Sequence, residues 1–531
     1  RQGPSTPETR RLRAAKLVHE RGGITKAASA LISPDAAPRN GITLSILRDK
    51  PPREDPATIA EAKARAAKYA HEPPKGTPPP IAEIDQPFEP SAIGDAIRKV
   101  NSQTAPGPSG LRHCYLQDVR DDDLEVDIAR LSRTIFKSEI LPPLFWALHT
   151  GSNLSTLGAK ARPVACGDVF RRIIGTIFSK QLVGHFEPKE QHGVACPGGF
   201  DLMARAVSLG FAEGCTILSF DGKNAFNSIY RRAFLPALAT VVPVASGYAV
   251  NLYARDPPKL LFAMDNGTTA VIDSARGVQQ GCNLGGLCFS AGGISLLQRF
   301  RDNPPVEGAS IFCFVDDINI LLPPAKAQDA EAIAKATTWV QKEREAIGIE
   351  LNRAKSQVLL ARGASAATLP AGQRRILEET ELSVAEGGMR VLGVAVGTEE
   401  YQRGFVEAFM RGEPAKLLRE LAPMEDAQAS FQILRLSAAV RTTFILRTVP
   451  PDITKAPMEE FDRMLEWSLA TVIAAPGANA AGLASPDEAR LPIREGGYGL
   501  TSSADIRDAA FIGSQALVLA RAVAKVARSD V

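Results

Sequence analysis

The chain has 531 residues, 45% apolar and 23% charged, which is the balance of a folded globular protein and excludes a disordered or fibrous one. Net charge is only +3, so any surface for nucleic-acid phosphates must come from local arrangement rather than bulk charge. No apolar run reaches the roughly 18 residues that a membrane-spanning helix needs, so no membrane partner is expected.

The seven cysteines are scattered, contain no Cys-x-x-Cys and lie apart from any histidine cluster. That argues against a zinc site or a disulfide framework and for a reducing compartment. The start, Arg1 to Ser5, has neither an initiator Met nor a basic-then-apolar leader, as expected of a piece of a longer or processed protein.

In chain order, residues 1–72 are expected to form a basic helical extension, with helix over 8–32 interrupted at Arg21-Gly-Gly23. Its first 21 residues carry Arg1, Arg10, Arg11, Arg13, Lys16 and Arg21 against Glu8 and Glu20. Such a run is either a solvated helix face or an arm on nucleic-acid backbone. A proline-rich linker over 73–90 marks a domain boundary. Helix is predicted from Pro90 to about Val100, followed by the Gly/Pro-rich loop Thr104–Gly110, a plain connector or a mobile tip over substrate.

Helical spacing returns over 120–150, and then a short strand over Ala161–Ala165 and a helix over Asp168–Lys180 are expected. Thr216 to Asp221 reads as a strand ending on an acid, 231–254 as helix, 259–276 as two strands, and 284–300 as helix. After a hairpin over 311–322, a helix over about 326–347 and strands over 356–361 and 389–396 complete the section. From 405 the pattern is helical, over about 405–420, 425–448 and 457–474, with a terminal helix from about Ile506.

The chemistry centres on Ile311-Phe-Cys-Phe-Val-Asp-Asp-Ile-Asn-Ile-Leu-Leu322, two apolar runs around a pair of acids. A charge among apolar neighbours is costly unless paired or metal-bound, so this stretch alone balances an ordinary turn against a cation site. Asp221, 95 positions earlier at a strand end, supplies a third carboxylate that a crossover could bring alongside. Three acids at adjacent strand ends suit two divalent cations about 3.5–4 Å apart, an arrangement for in-line phosphoryl transfer. Oxygen ligands select a hard cation such as Mg²⁺, with Mn²⁺ a possible substitute.

Asp221-Gly-Lys-Asn-Ala-Phe226, Gln280-Gly-Cys-Asn-Leu-Gly285 and Phe314-Val-Asp-Asp317, in that order, resemble the palm of a reverse transcriptase. Ala105 to Leu111, Arg162-Pro-Val with Arg171-Arg172, Gly348 to Lys355 and Val391-Leu-Gly-Val394 resemble its loop, fingers, palm and primer-side motifs. Leu491 to Leu500 and Ala509 to Ser514 resemble the tail of eukaryotic non-LTR retroelement polymerases. The resemblance implies an α+β right-hand polymerase with an antiparallel palm sheet. Fingers and palm would span 91–400, a helical thumb 401–475 and a helical tail 476–531.

It also implies an RNA-dependent DNA polymerase that extends a DNA or RNA primer on an RNA template with dNTPs. Asp221, Asp316 and Asp317, with the Gly222 carbonyl, would hold two Mg²⁺ ions. Phe226 would bar a 2′-hydroxyl, its rival reading being an ordinary core aromatic. Gln280 and Gly281 would meet the incoming nucleotide, and Arg162 its phosphates, against the plainer reading of a surface arginine. Either Arg171 or Arg172 would add a phosphate or template contact, with Arg172 taken as the candidate. Lys355 would protonate the leaving pyrophosphate unless it is simply a solvated lysine.

Cys282, Asn283 and Ser109 depart from the family's usual Asp, Pro and Asp, which bears on template handling rather than on metal ligation. Copying into chromosomal DNA would place the protein in the nucleus, although no compact Lys/Arg cluster points there. The alternative is a retroelement relic that binds RNA or RNA–DNA duplex without synthesis.

Overall fold

The computed structural model describes residues 6–20, 23–33, 37–50, 88–100, 104–119, 121–137, 141–157, 161–182, 191–194, 196–241, 243–254, 257–474 and 485–526. In chain order the strands are β1 (Ser152–Leu157), β2 (Arg162–Gly167), β3 (Thr216–Phe220), β4 (Lys259–Ala263), β5 (Thr269–Asp273) and β6 (Ser310–Phe314). They continue with β7 (Asp317–Leu322), β8 (Gln357–Leu359), β9 (Ser383–Ala385), β10 (Gly388–Val391) and β11 (Val394–Gly397). The central sheet has the order β6-β7-β3-β8-β9 and is antiparallel except at its β8–β9 edge. A second sheet, β2-β1-β4-β5, and the hairpin β10–β11 complete the strands among the described residues.

Side chains alternate across a strand, and here both faces of the central sheet are covered. Leu218, Phe220, Ile318, Ile320 and Leu322 pack against Ile333, Ala336 and Val340 of the helix Ala330–Ala346 and against Leu296 and Phe300 of Gly285–Asp302. The opposite face sets Ile217, Phe312 and Leu321 on Val207 and Phe211 of the helix Gly199–Ala212 and on Val518 of Ser503–Val526. Burial on both sides explains why the strands read as unbroken apolar runs, and it leaves carboxylates only at the strand ends.

The N-terminal helices Pro7–His19 and Ile24–Ile32 are not a detached arm. Ala14, Val18, Ala27 and Leu31 share a core with Leu417, Leu421, Ile433 and Phe461 of the C-terminal helices. Arg11 pairs with Glu420 at 3.3 Å and His19 with Asp426 at 2.6 Å, so the basic run is partly spent on the protein itself. Of the predicted linker, residues 73–87 lie outside the described residues.

Two predicted elements differ. The strand expected over 389–396 is the hairpin β10–β11, reversed at Leu392 (φ 49°) and Gly393 (φ 88°), a two-residue turn with left-handed backbone. The helix expected over 425–448 is broken into Ala427–Ile433, a π-helical turn Leu434–Ala438 and Thr443–Thr448. Its three arginines all have protein partners. Arg435 donates to the Gly499 carbonyl at 3.4 Å, Arg441 pairs with Glu413 at 2.9 Å, and Arg447 binds the buried Asp201. No helix among the described residues is long and apolar enough to cross a membrane.

Candidate active site

Asp221 lies one residue beyond β3, and antiparallel pairing of Phe220 with Ile318 sets it across from Asp317 at the start of β7. Asp316 occupies the two-residue turn between β6 and β7, where Phe314 pairs with Asp317. The register therefore gathers all three acids at one end of the central sheet. The segment 349–356 runs beside Asp221: Gly222 bridges Leu351, and the Asn352 amide donates to the Asp221 carbonyl at 2.9 Å. Asp221 Oδ2 accepts from Asn352 Nδ2 at 2.8 Å and lies 3.6 Å from Lys355 Nζ.

The turn that carries Asp316 is strained and clamped. Val315 has φ 57°, a left-handed backbone that costs a β-branched residue on the order of 1–3 kcal/mol. Gln191, itself buried, holds it: its Oε1 accepts from the Val315 amide at 2.8 Å and its Nε2 donates to the Val315 carbonyl at 3.3 Å. From the other side Arg344 donates to the Asp316 carbonyl. Neither clamp has a local sequence signal, because both reach the turn from distant segments.

Arg162 opens β2, and its charge reaches Asp316. The Gln280 carbonyl accepts from the Ala165 amide at 2.7 Å, which lays the Gln280–Gly281 loop on the same strand. Gly281, at φ 107°, would bring any Cβ within 2.6 Å of the Ala165 carbonyl oxygen, so only glycine fits that approach. Phe226 is half-buried, its ring stacked on Phe289 with centroids 4.7 Å apart and planes 9° from parallel. Its carbonyl accepts from Val278 at 2.8 Å, so the ring is held from both ends.

Arg171 and Arg172 are interior residues. Arg171 donates to the Thr150 carbonyl at 2.8 Å and to Gln279 at 2.9 Å, tying the end of the helix Pro143–Thr150 to the loop before Gly281. Arg172 is buried beside His113, Cys166 and Asp168, and the charges acting on Asp316 and Asp317 are those of other residues. The Thr104–Gly110 loop is pinned rather than free: Asn153 Nδ2 donates to the Pro106 and Gly107 carbonyls at 3.0 and 2.9 Å, and Ser109 donates to Asp168.

A residue that the motifs did not single out also enters the site. Lys50 follows the helix Gly41–Asp49, anchored by Leu47 among Leu154, Leu260 and Phe262, and its carbonyl accepts from Asn224. Burial, then the charges of Arg162 and Lys355, pull the Lys50 pKa down. Lys50, Arg162 and Lys355 thus lie within charge range of one another, and Arg162 acts in turn on Asp316 and Lys355 on Asp221.

Burial, then the neighbouring Asp316 and Asp221 charges, pushes Asp317 from the ordinary 3.8 to about 6. Asp316 is also raised, chiefly by burial, with its backbone hydrogen bond and Arg344 opposing. Crowded, half-buried carboxylates of this kind are relieved by a divalent cation, and the donors are all oxygens, as Mg²⁺ or Mn²⁺ prefers. Among the described residues no three His, Cys, Asp or Glu side chains stand close enough together to clasp an ion. Asn352 and Lys355 engage the Asp221 Oδ2 instead.

The raised pKa sets a stability prediction. Below about 4 Asp317 is protonated in both folded and unfolded chains and costs nothing; as pH rises through about 6 it must ionise against its neighbours, so folding loses stability. In EDTA, the thermal midpoint of Asp317→Asn should rise relative to the native protein between pH about 4 and 6 and stay higher above. A difference that is flat across that window contradicts the assignment.

Residues 157–396 match the family described as "Reverse transcriptase (RNA-dependent DNA polymerase)". The chain is 26% identical over 422 residues to the retrotransposable element SLACS 132 kDa protein of Trypanosoma brucei gambiense, a match over 77% of this chain. It spans only 33% of that relative's length. Telomerase structures from Candida tropicalis (9% identity, 69% of this chain and 67% of that one) and Candida albicans (11%, 64% and 63%) align with a TM-score of 0.34 each. On these findings, residues 157–396 match a reverse transcriptase domain, and the chain is similar over most of its length to a retrotransposable-element protein.

Proposed function

We propose that the chain copies an RNA template by extending a DNA or RNA primer with dNTPs, using two divalent cations in a fingers–palm–thumb arrangement. Fingers and palm are assigned to 91–400, the thumb to 401–475 and the tail to 476–531. The observation that supports the reading best is the convergence of Asp221, Asp316 and Asp317 at one sheet end, with the Arg162 charge reaching Asp316.

The three carboxylates and the Gly222 carbonyl would hold the cations, Mg²⁺ or Mn²⁺, which when bound activate the primer 3′-hydroxyl and offset charge on the departing pyrophosphate. Arg162 binds the β- and γ-phosphates, for which its planar fork is suited. Gln280 and Gly281 seat the nucleotide against the strand β2, and the Phe226 ring occupies the space a 2′-hydroxyl would need. Lys355, 3.6 Å from Asp221, is placed to give a proton to pyrophosphate as it leaves. Arg172 would add a phosphate or template contact from its buried place beside Cys166 and Asp168.

The test is extension of a labelled primer on an RNA template of known sequence with one dNTP withheld. The product should stop one position before the first template base that needs the missing nucleotide. RNA–DNA binding with no extension in either Mg²⁺ or Mn²⁺ would favour the silent relic instead.

A further inference from the structure

Arg344, near the end of the helix Ala330–Ala346, is 2% exposed and lies under the acid cluster. Its Nη2 donates to the Asp316 carbonyl, while its Nε and Nη1 are buried without a hydrogen-bond partner. Its neighbour Glu343 does not serve it, since that carboxylate accepts from Arg299 Nε at 2.6 Å. Burial lowers the Arg344 pKa, and the Cys313 thiol and then the Asp316, Asp221 and Asp317 carboxylates oppose it.

Gly222 makes the approach possible: a Cβ there would sit 2.7 Å from Nη1. A guanidinium keeps its charge at neutral pH, and burying one is expensive unless anions compensate. Here the nearby anionic groups are the Cys313 thiol and the three carboxylates to which divalent cations are assigned above, and Arg344 meets the cluster through the Asp316 carbonyl.

We infer that Arg344 is a positioning residue, a resident counter-cation that holds Asp221, Asp316 and Asp317 together before divalent cations arrive and restrains the cluster's affinity for them. The inference rests on the proposed cation site. It gives the protein two states of similar charge balance: acids on Arg344 alone, and acids on Arg344 plus cations brought in with nucleotide phosphates. Three half-buried carboxylates with no internal cation would either repel one another or retain metal permanently.

The test uses the full chain without nucleotide, with Mn²⁺ binding read by electron paramagnetic resonance and thermal midpoints taken in EDTA and in Mn²⁺. R344M should melt lower in EDTA, gain more from Mn²⁺ than the native protein, and bind Mn²⁺ roughly tenfold more tightly, equivalent to about 1.4 kcal/mol. R344K, which keeps the charge, should follow the native protein in both readouts. Should R344M alone fail to fold, R344M/D316N compared with D316N supplies the test, because removing one acid should reduce the need for the cation.

A loss of midpoint equal in EDTA and Mn²⁺ with unchanged or weaker Mn²⁺ binding, or in the fallback pair a loss as large as total unfolding, would overturn the inference and leave Arg344 a packing residue. Absence of any Mn²⁺ binding sensitive to D316N in the native background would instead overturn the cation site itself.

Discussion

Replacing Asp316 by Asn should abolish primer extension while leaving the fold intact. The side chain is nearly isosteric, sits at a turn held by Gln191 and Arg344 through backbone atoms, and loses only its charge. Cation-assisted charge stabilisation contributes several kcal/mol and each 1.36 kcal/mol is tenfold, so the rate should fall by at least about a thousandfold. The thermal midpoint in EDTA should hold or rise, since one of three crowded carboxylates is gone. Single-turnover extension and differential scanning fluorimetry on the same samples read both quantities. Extension within tenfold of the native rate would remove Asp316 from the cation site.

Replacing Phe226 by Ala should relax the choice of sugar. The ring is stacked on Phe289 and fixed through its backbone to Val278, so it cannot easily turn aside from a 2′-hydroxyl. Shape discrimination by one side chain is worth about 10–200-fold, and the rNTP-to-dNTP ratio of kcat/KM should rise within that range. Phe226→Tyr should retain the native preference. Alanine also removes the stack on Phe289, so the midpoint should drop as well. A drop with an unchanged ratio would make Phe226 a core aromatic and no gate.

What the sequence disclosed follows from what is local. The hairpin was legible because two apolar runs flank Asp316 and Asp317, and the reason they are apolar throughout is that helices cover both sheet faces. Asp221 was legible as the acid that ends a strand. The clamps were not: Gln191 lies about 124 residues from the turn, and Arg344 sits in the run Lys342-Glu-Arg-Glu345, where nothing local separates a buried guanidinium from solvated charge.

Lys50 was hidden for the same reason, since it comes near Arg162, Lys355 and Asn224 because Leu47 docks on the second sheet. Nothing local separates Arg171 from Arg172: both are buried, and Arg171 donates to the Thr150 carbonyl and to Gln279 across the fold. At β10–β11 the reversal uses Leu392-Gly393 in place of the Asn-Gly or Asp-Gly pair that signals a tight hairpin, so one strand was expected where two occur.

The most direct measurement is the anomalous signal of Mn²⁺ in crystals of the chain with an RNA template, a DNA primer and a non-hydrolysable dNTP. Two manganese peaks are expected between Asp221 and Asp316, with the Asn352 and Lys355 contacts to Asp221 exchanged for metal and the triphosphate beside Arg162. Peaks elsewhere, or none at these carboxylates with nucleotide bound, would contradict the two-cation site.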